Sequence, residues 1–328
     1  MSGGDVMARR LIGTTGVAVS ELGFGAASLG NLYREVPDEV ARDAVDAAWE
    51  VGIRYFDTAP HYGLGLSERR LGAALADRPR SEFVVSTKVG RLLIPSDDPG
   101  GLDLDNLFHV PTTHVRRHDY SVAGVRRSIE ESLDRLGLDR IDIALVHDPD
   151  GRSEQRDTLT QALPELVRMR EEGLIGAVGV GMNQWEAPLS FILESAPGTV
   201  DVVMVAGRWT LLDRSAAPLL AVCEERGVSM LAAAPFNSGL LSKPTPDVTS
   251  HYDYGSPDDV LLRRAHDLAD AARDCGAILP QVALQFPLRH PAVVSVVPGL
   301  SSAAHVRTSA QWLGEPVDES FWSSAAAG

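Results

Sequence analysis

The chain has 328 residues, of which 44% are hydrophobic, so it can bury the core of one large α/β barrel or of two smaller domains. Its formal net charge of −15 at pH 7 argues against binding to nucleic acid or to an anionic membrane surface. Its cysteines, Cys223 and Cys275, provide neither a disulfide framework nor the spacing of a metal site, and we expect reduced thiols.

The N-terminal residues carry no targeting signal that we can identify. Residues 1–10 lack the apolar core of a signal peptide. No apolar run in the chain approaches the roughly 18 residues that a membrane helix needs. We therefore expect a soluble, cytoplasmic protein without membrane contacts.

Residues 9–30 predict a hairpin followed by a strand and a tight loop. Residues 9–20 alternate around Gly13-Thr14-Thr15-Gly16, which indicates a hairpin, and residues 22–25 form a first short strand. Ser28 stands where a dinucleotide fingerprint needs glycine, and Ala26 where a nucleophile elbow needs it. We instead expect the small residues from Gly25 and Ala26 onward to lie close under a ligand.

From residue 37 onward, helical and strand patterns alternate. Predicted helices cover 37–51, 67–76, 122–136, 158–172, 188–194, 216–226, 258–275 and 302–312, with an extra helical segment at 281–288. Predicted strands cover 22–25, 53–57, 83–89, 141–147, 175–180, 202–206, 228–234 and 293–297. Eight strands that alternate with helices predict a parallel sheet with right-handed crossovers. We expect residues 1–328 to form one (β/α)8 TIM barrel with an N-terminal hairpin and extra helices.

Two segments are too long to be simple connections. Residues 91–120 are rich in Pro, Gly and Asp, and residues 242–257 contain several aromatic side chains, including Tyr252 and Tyr254. Segments of this length act as lids or pocket walls, or they are disordered. Because both follow strands, we expect them at the rim where the strands end.

Polar side chains occur at or just after the ends of separate predicted strands. Asp57 ends the strand at 53–57, and Tyr62 lies in the loop that follows. Lys88 lies in the next strand, and His147 ends the one after that. Parallel barrel strands end at one rim, so these side chains are expected to form a proton-transfer site.

The chemistry of these residues suits a carbonyl or alcohol oxygen. The ammonium of Lys88 would lower the pKa of Tyr62 and make it partly phenolate. Asp57 would hold that ammonium, and a neutral His147 would donate to a substrate oxygen. The group supplies no electrons, so a redox reaction would need a hydride cofactor. Taken singly, each residue also has a structural explanation. Asp57 could be a turn or helix-cap residue, Tyr62 an aromatic residue at the rim, and His147 a hydrogen-bonded structural histidine. Lys88 is the hardest to explain in this way, because an unpaired buried ammonium is unfavourable.

These motifs resemble those of the aldo-keto reductases along essentially the whole chain. The quoted segments are GIRYFDTAPHYG at 52–63, STK at 86–88 and LDRLGLDRID at 133–142, which leads into His147. The resemblance implies a (β/α)8 barrel that binds a nicotinamide cofactor without a Rossmann fold. It also implies a catalytic tetrad of Asp57, Tyr62, Lys88 and His147, in which Tyr62 is the acid/base and hydride passes between the nicotinamide and the substrate carbon.

The same resemblance implies the cofactor contacts and the substrate class. Asn183 would contact the nicotinamide amide, and Phe236 would stack on the nicotinamide ring. The pyrophosphate would meet Ser238, Gly239 and Leu240, and the adenosine half Pro298, Gly299, Leu300, Ser301 and Ser302. Further segments are similar to a branch of the family that oxidises aldoses such as L-fucose at C1, or pyridoxal: VGR at 89–91, HDYS at 118–121, HDPD at 147–150, GVGMNQW at 179–185 and AGRWTLL at 206–212.

One departure from the family pattern concerns the choice between NAD and NADP. Members that use NADPH carry Lys-Ser after the proline of the last strand and an Arg further on. Here Gly299 and Leu300 take the first two places and His305 stands near the third, with Arg307 two places off. Since fixed cations hold a 2′-phosphate best, we expect NAD to serve at least as well as NADP.

The leading hypothesis is therefore NAD(P)-dependent oxidation of an aldose to a lactone. The alternative is a reductase or dehydrogenase of another small carbonyl compound, such as a pyridoxal-like aldehyde. A third, a cofactor-binding regulatory subunit, is disfavoured by the complete tetrad. We expect Trp209 and Tyr33 to line the substrate pocket with the two long segments.

Overall fold

The architecture was derived from a computed structural model that describes residues 7–253 and 255–326, with side chains to Ser323. Tyr254 and the first six residues, which include most of the N-terminal segment considered above, lie outside the described residues. Within the described ranges, no helix is long and apolar enough to cross a membrane.

The strands follow the predicted order, with two additions. They are β1 (Arg9–Leu11), β2 (Ala18–Ser20), β3 (Phe24–Gly25), β4 (Tyr55–Asp57), β5 (Val84–Val89), β6 (Arg91–Pro95), β7 (His114–His118), β8 (Ile141–His147), β9 (Ile175–Met182), β10 (Val202–Ala206), β11 (Ser229–Ala233) and β12 (Val293–Val297). In the part of the chain that the structure describes, eight of these form one parallel sheet in the order β12-β11-β10-β9-β8-β5-β4-β3. Parallel bridges from Leu22 to Val296 and from Gly25 to Gly299 join its two edges, so the sheet closes into the predicted (β/α)8 barrel.

The helices pack around the outside of this barrel. They are α1 (Asp38–Glu50), α2 (Leu66–Leu75), α3 (Val122–Leu136), α4 (Arg152–Asp157), α5 (Leu163–Glu171), α6 (Glu186–Glu194), α7 (Ala217–Arg226), α8 (Asp259–Asp274), α9 (Leu279–Gln285), α10 (Ala303–Gly314) and α11 (Glu319–Ala326). Local signals explain their limits, as in α3, where the Ser121 side chain accepts from the Gly124 N–H and Gly137 ends the helix at φ 64°.

One predicted helix begins earlier than expected, and one helix was not predicted. The helix predicted from residue 158 begins at Arg152, because a π-helical turn at 158–162 joins α4 to α5. Helix α11 was not predicted, since it is short and its buried side chains are mainly Phe321 and Trp322. A segment with so few apolar residues has no readable helical period.

The N-terminal hairpin closes the end of the barrel opposite the strand ends that carry the polar residues. Strands β1 and β2 pair antiparallel, and Ile12 and Val19 are fully buried. They pack in one cluster with inward-facing strand residues such as Tyr55 and Leu231. Burial of this apolar surface leaves the opposite rim as the open end.

Residues 91–120 form part of that rim. Strands β6 and β7 pair antiparallel, with Arg91 opposite His118. The segment is therefore an ordered hairpin. It was not predicted, because the charged sequence of β7 lacks a regular alternation of apolar residues. Its loop is tied to the barrel through a bridge between Leu32 and Phe108.

Candidate active site

The rim surrounds a cavity of about 880 Å³, and the predicted Asp57, Tyr62, Lys88 and His147 all lie on its wall. The register between neighbouring strands explains why these side chains lie together. Asp57 of β4 pairs with Ser86 of β5, and Lys88 comes two residues later on the same inward face. His147 is the last residue of β8, so its side chain reaches the same rim.

The loop that carries Tyr62 is held by a close backbone approach. Gly63 has a φ of 61°, and a Cβ placed on it would lie 2.3 Å from the carbonyl oxygen of Gly30. Only glycine allows this contact between the 26–30 turn and the loop after β4. The contact sets the position of Tyr62 over the barrel.

Lys88 connects Asp57 to Tyr62 through hydrogen bonds. Its Nζ lies 2.9 and 2.8 Å from the Asp57 carboxylate oxygens, 3.0 Å from the Thr58 carbonyl and 3.1 Å from the Tyr62 hydroxyl. The Lys88 and Asp57 side chains are only 3% and 5% exposed. Asp57 also accepts a hydrogen bond from the Ser86 hydroxyl at 2.7 Å. The result is a buried, hydrogen-bonded Asp–Lys–Tyr relay that ends at the cavity.

The pKa values of this relay differ in part from the sequence-based expectation. Burial alone would lower the pKa of Lys88, but the Asp57 charge and hydrogen bonds outweigh it and raise that pKa. Burial raises the pKa of Tyr62, and the opposing effect of Lys88 only partly offsets this. The expected partly phenolate Tyr62 is therefore wrong for the protein alone: the hydroxyl is a neutral phenol at neutral pH.

His147 lies edge-on to Tyr62, with ring centroids 6.0 Å apart. Burial, followed by the positive charges of Arg91 and Lys88, holds the pKa of His147 well below its usual value. The imidazole is therefore neutral, as expected from the sequence. Tyr120 donates to the His147 carbonyl at 2.9 Å and so anchors the end of β8.

Several predicted cofactor contacts reach the cavity wall. These are Gly25, Asn183, Phe236, Ser238, Gly239 and Gly299, and Leu300 lies beside them. The expected contact Tyr33 is also on the wall, and it stacks on His251 of the second long segment with centroids 6.3 Å apart. Both long segments thus contribute to the wall, through Phe108 and Lys243 among others.

Other predicted contacts have side chains directed elsewhere. The Ala26 side chain is fully buried beside the barrel, and Leu240 is fully buried in the core near α8. The Pro298 carbonyl accepts from the Gly25 N–H at 3.0 Å and helps to close the barrel. Ser301 bonds the His305 ring at 3.1 Å, and Ser302 caps α10. None of these five residues belongs to the cavity wall in the described structure.

Trp209 is also absent from the cavity wall in the part of the chain that the structure describes. It lines a separate cavity of about 400 Å³ on the outside of the barrel, with its ring 5.3 Å from that of Phe286. The prediction that Trp209 forms a substrate-pocket wall is wrong, because the turn after β10 directs the ring outward.

Several wall residues had no role predicted from the sequence. His61, Arg91 and Asp148 lie in the family-like motifs without an assigned role. Asn106 and Leu107 lie in the hairpin loop, where no local pattern marks them. Ala304, Thr308 and Trp312 line one face of α10 at four-residue intervals, and this helical spacing was a usable signal.

Comparison with known proteins identifies the family. The sequence pattern of the Aldo/keto reductase family matches residues 21–327. The chain belongs to this family. A D-threo-aldose 1-dehydrogenase from a Pseudomonas species is 45% identical over 314 residues, covering 95% of this chain and 94% of that protein. A pyridoxal 4-dehydrogenase from Microbacterium luteolum is 35% identical and covers 96% of both chains.

A solved structure supports the same assignment. The holo form of an aldo-keto reductase from Bacillus halodurans aligns with a TM-score of 0.76 at 27% identity, covering 98% of this chain and 96% of that one. The protein is thus an oxidoreductase of the aldo-keto reductase family. Members of this family use nicotinamide cofactors.

The cavity of this aldo-keto reductase fits a dinucleotide on chemical grounds. Helix α10 begins beside it, with Ala304 and His305 on the wall, and helix N-termini favour phosphate groups. A Cβ on Gly299 would meet no atom within 4 Å, so the backbone there is open to a ligand. Phe236 and Asn183 add an aromatic face and an amide. These residues would hold the cofactor in an extended cleft across the strand ends.

The buried histidines make the stability of this reductase depend on pH. Burial and neighbouring arginines lower the pKa of His61 to about 2, and the pKa of His147 is also lowered. Below pH 6.5 the unfolded chain therefore binds more protons, so the contribution of each histidine is complete above that pH and is lost as pH falls. We expect each to contribute a slope of about 1.4 kcal/mol per pH unit to the free energy of unfolding between about pH 6 and pH 5.

Urea unfolding of wild type and His61→Gln as a function of pH checks this expectation. The slope of the free energy of unfolding against pH should be smaller in the variant by the contribution of one histidine. Because the other titrating groups are common to both proteins, the comparison isolates His61. Equal slopes for wild type and His61→Gln would contradict the assignment of His61 as a buried neutral imidazole.

Proposed function

We propose that this aldo-keto reductase oxidises the C1 hydroxyl of an aldose to a lactone, with NAD serving at least as well as NADP. The observation that carries the proposal is the buried Asp57–Lys88–Tyr62 relay, which presents the Tyr62 hydroxyl at the cavity. The 45% identity to a D-threo-aldose 1-dehydrogenase supports an aldose as the substrate.

Each residue of the tetrad has a distinct role in this proposal. In its deprotonated form, Tyr62 takes the proton of the C1 hydroxyl as the C1–O bond gains double-bond character. Lys88 stabilises the negative charge of the phenolate before the proton arrives, and Asp57 holds Lys88 in place. Neutral His147 offers an N–H donor that orients the reacting oxygen. A nicotinamide bound in the cavity would accept the hydride that leaves C1.

The proposal is tested by incubating the purified protein with NAD or NADP and a panel of aldoses, including L-fucose. Formation of the reduced cofactor is followed by absorbance, and the lactone is identified by mass spectrometry. Cofactor reduction with stoichiometric lactone is the expected result. If no aldose leads to cofactor reduction while NAD(P)H reduces simple aldehydes, aldose oxidation is contradicted.

Oxidation of a pyridoxal-like aldehyde is a second candidate function. The 35% identity to a pyridoxal 4-dehydrogenase along nearly the whole chain favours it over other carbonyl substrates. Pyridoxal belongs in the same panel. A higher kcat/KM for pyridoxal than for any aldose would replace the leading proposal with this one.

The expected cofactor preference rests on the charges near the adenosine end of the cavity. Leu300 is buried, and the Arg307 guanidinium is bound to Glu50 at 2.9 Å on the surface. The His305 ring is hydrogen-bonded to Ser301. A 2′-phosphate would thus meet no fixed Lys or Arg on β12 or the start of α10, and we expect kcat/KM with NAD to equal or exceed that with NADP.

A lysine introduced near the adenosine end of the cavity tests this explanation of the cofactor preference. Gly299→Lys adds a side chain where a Cβ has open space, so it should raise kcat/KM with NADP by about tenfold relative to NAD, since one charge-assisted bond contributes about 1.5 kcal/mol or more. Arg307→Ala should leave the wild-type ratio unchanged. A hundredfold preference of the wild type for NADP would contradict the prediction.

A further inference from the structure

Next to the tetrad, the cavity wall carries an ion pair that the proton-transfer chemistry does not use. The Arg91 guanidinium donates to the Asp148 carboxylate at 2.8 Å. The two side chains are 13% and 12% exposed, and both residues line the cavity. The same Asp148 oxygen lies 3.5 Å from Nε2 of His147, so the pair lies directly beside the position of the reacting oxygen.

The backbone holds this pair in a fixed place. Gly90, at φ 102°, packs against the Tyr120 ring so closely that a Cβ would lie 2.3 Å from it. The Tyr120 hydroxyl donates to the carbonyls of His147 and Asp148. Asp148 itself has a φ of 39°, and its backbone N–H donates to the Gly181 carbonyl at 3.0 Å. A non-glycine residue with positive φ at a cavity wall often has a functional cause.

The hydrogen-bonding capacity of Arg91 is not filled by the protein. Its Nη2 donates to Asp148 and its Nη1 lies 3.4 Å from Nδ1 of the His61 ring, while its Nε is buried without a partner among the described residues. Each Nη of a guanidinium carries two N–H groups, so one N–H on each Nη is left for a ligand. An apolar ligand in the same place would remove water from the pair without replacing its hydrogen bonds, which is unfavourable.

We infer that Arg91 and Asp148 form a hydroxyl-recognition subsite that selects polyhydroxylated substrates. The Asp148 carboxylate accepts from one substrate hydroxyl, and the Arg91 guanidinium donates to a neighbouring hydroxyl or ring oxygen. This inference rests on the proposed function, because the hydroxyls belong to the aldose whose C1 is oxidised. A site built to bind hydroxyl groups discriminates strongly against analogues that lack them.

The experiment compares two substrates with the same reacting centre. An aldose that the enzyme oxidises carries ring hydroxyls, whereas 2-hydroxytetrahydropyran has the same cyclic hemiacetal without them. The measured quantity is the ratio of kcat/KM for the aldose to kcat/KM for 2-hydroxytetrahydropyran. It is determined for wild type, Asp148→Asn and Arg91→Lys, with single-deoxy analogues of the aldose to locate the hydroxyl concerned.

A second buried ion pair supplies the matched control. Arg80 and Asp142 lie 2.7 Å apart, are 19% and 12% exposed, and sit at the start of β8, at the end of the strand opposite His147; neither lines the cavity. Asp142→Asn therefore makes the same chemical change to a largely buried pair without touching the subsite. Its thermal unfolding midpoint, measured beside that of Asp148→Asn, separates loss of stability from loss of recognition.

We expect Asp148→Asn and Arg91→Lys each to lower the substrate ratio by about 10- to 100-fold, mainly through KM for the aldose, as loss of a charged hydrogen bond does. Asp142→Asn should keep the wild-type ratio. At least one single-deoxy analogue, which wild type uses less well than the aldose, should be used as well as the aldose by Asp148→Asn. Unchanged ratios in both subsite variants, with the aldose still oxidised, would overturn the subsite but not the proposed function. Failure of the wild type to oxidise any aldose would overturn both.

Discussion

Replacing Tyr62 with phenylalanine is expected to lower kcat for aldose oxidation by about 10²- to 10⁴-fold, since a positioned acid/base contributes that much. The change removes only the hydroxyl, whose hydrogen bond to Lys88 is 3.1 Å long. The ring keeps its place beside Phe108 and His147. The dissociation constant of the nicotinamide nucleotide, measured by fluorescence titration, should therefore change little while turnover is lost.

The matched control is Tyr120→Phe, which removes another buried hydroxyl close to the site. That hydroxyl donates to the backbone carbonyls of His147 and Asp148 and takes no part in proton transfer. The variant should therefore lose stability and part of its turnover, but far less turnover than Tyr62→Phe loses. A Tyr62→Phe enzyme with more than about a tenth of wild-type kcat would remove Tyr62 from the acid/base role.

The raised pKa of Tyr62 adds a pH signature to the same prediction. Oxidation needs the deprotonated phenol as base, and burial raises its pKa above 10.0, so kcat/KM for oxidation should rise with pH through the mildly alkaline range. The pKa values of His61 and His147 are lowered, so neither should produce an inflection near pH 6.5. Tyr62→Phe should abolish the alkaline rise in any residual activity.

Replacing Lys88 with methionine is expected to destabilise the protein by about 3–5 kcal/mol, because it leaves the buried Asp57 carboxylate without its partner. Asp57 is 4% exposed, and its remaining side-chain hydrogen bond comes from Ser86. Aldose oxidation should also be lost, since no ammonium would then stabilise negative charge on Tyr62. Urea unfolding and steady-state kinetics measure the two effects separately.

The double variant Lys88→Met with Asp57→Asn distinguishes the structural from the chemical contribution. It removes the unpaired charge, so it should recover part of the stability lost in Lys88→Met while remaining inactive. A double variant no more stable than the single one would show that Asp57 is not stabilised chiefly by Lys88. Recovery of turnover in the double variant would contradict the role of Lys88 in proton transfer.

The strand order and the tetrad could be predicted because their signals are local. Buried strands appear as short apolar runs, and the alternation of those runs with helices predicts closure into a barrel. Asp57, Lys88 and His147 could be placed on one rim because parallel strands share their direction. The hairpin β6–β7 and helix α11 were missed, since their stability comes from packing against the barrel rather than from a period in their own residues.

The finer site was less predictable, because it depends on side-chain direction. Leu240 and Ser302 lie in segments that reach the cavity, yet one side chain turns into the core and the other caps α10. Trp209 turns outward to a different cavity. Such directions are set by the packing of distant elements, which sequence spacing does not encode.

By itself the sequence determined which polar residues come to one rim and which strands bring them there, since the hydrophobic pattern and the chain order contain that information. The tertiary structure decided the ionisation of Tyr62 and the pairing of Arg91 with Asp148. Both depend on burial by residues far apart in the chain, such as Phe108 of the hairpin loop and His147 of β8. Burial raises the free energy of a charge through the loss of water, and only the folded arrangement sets how much water is lost.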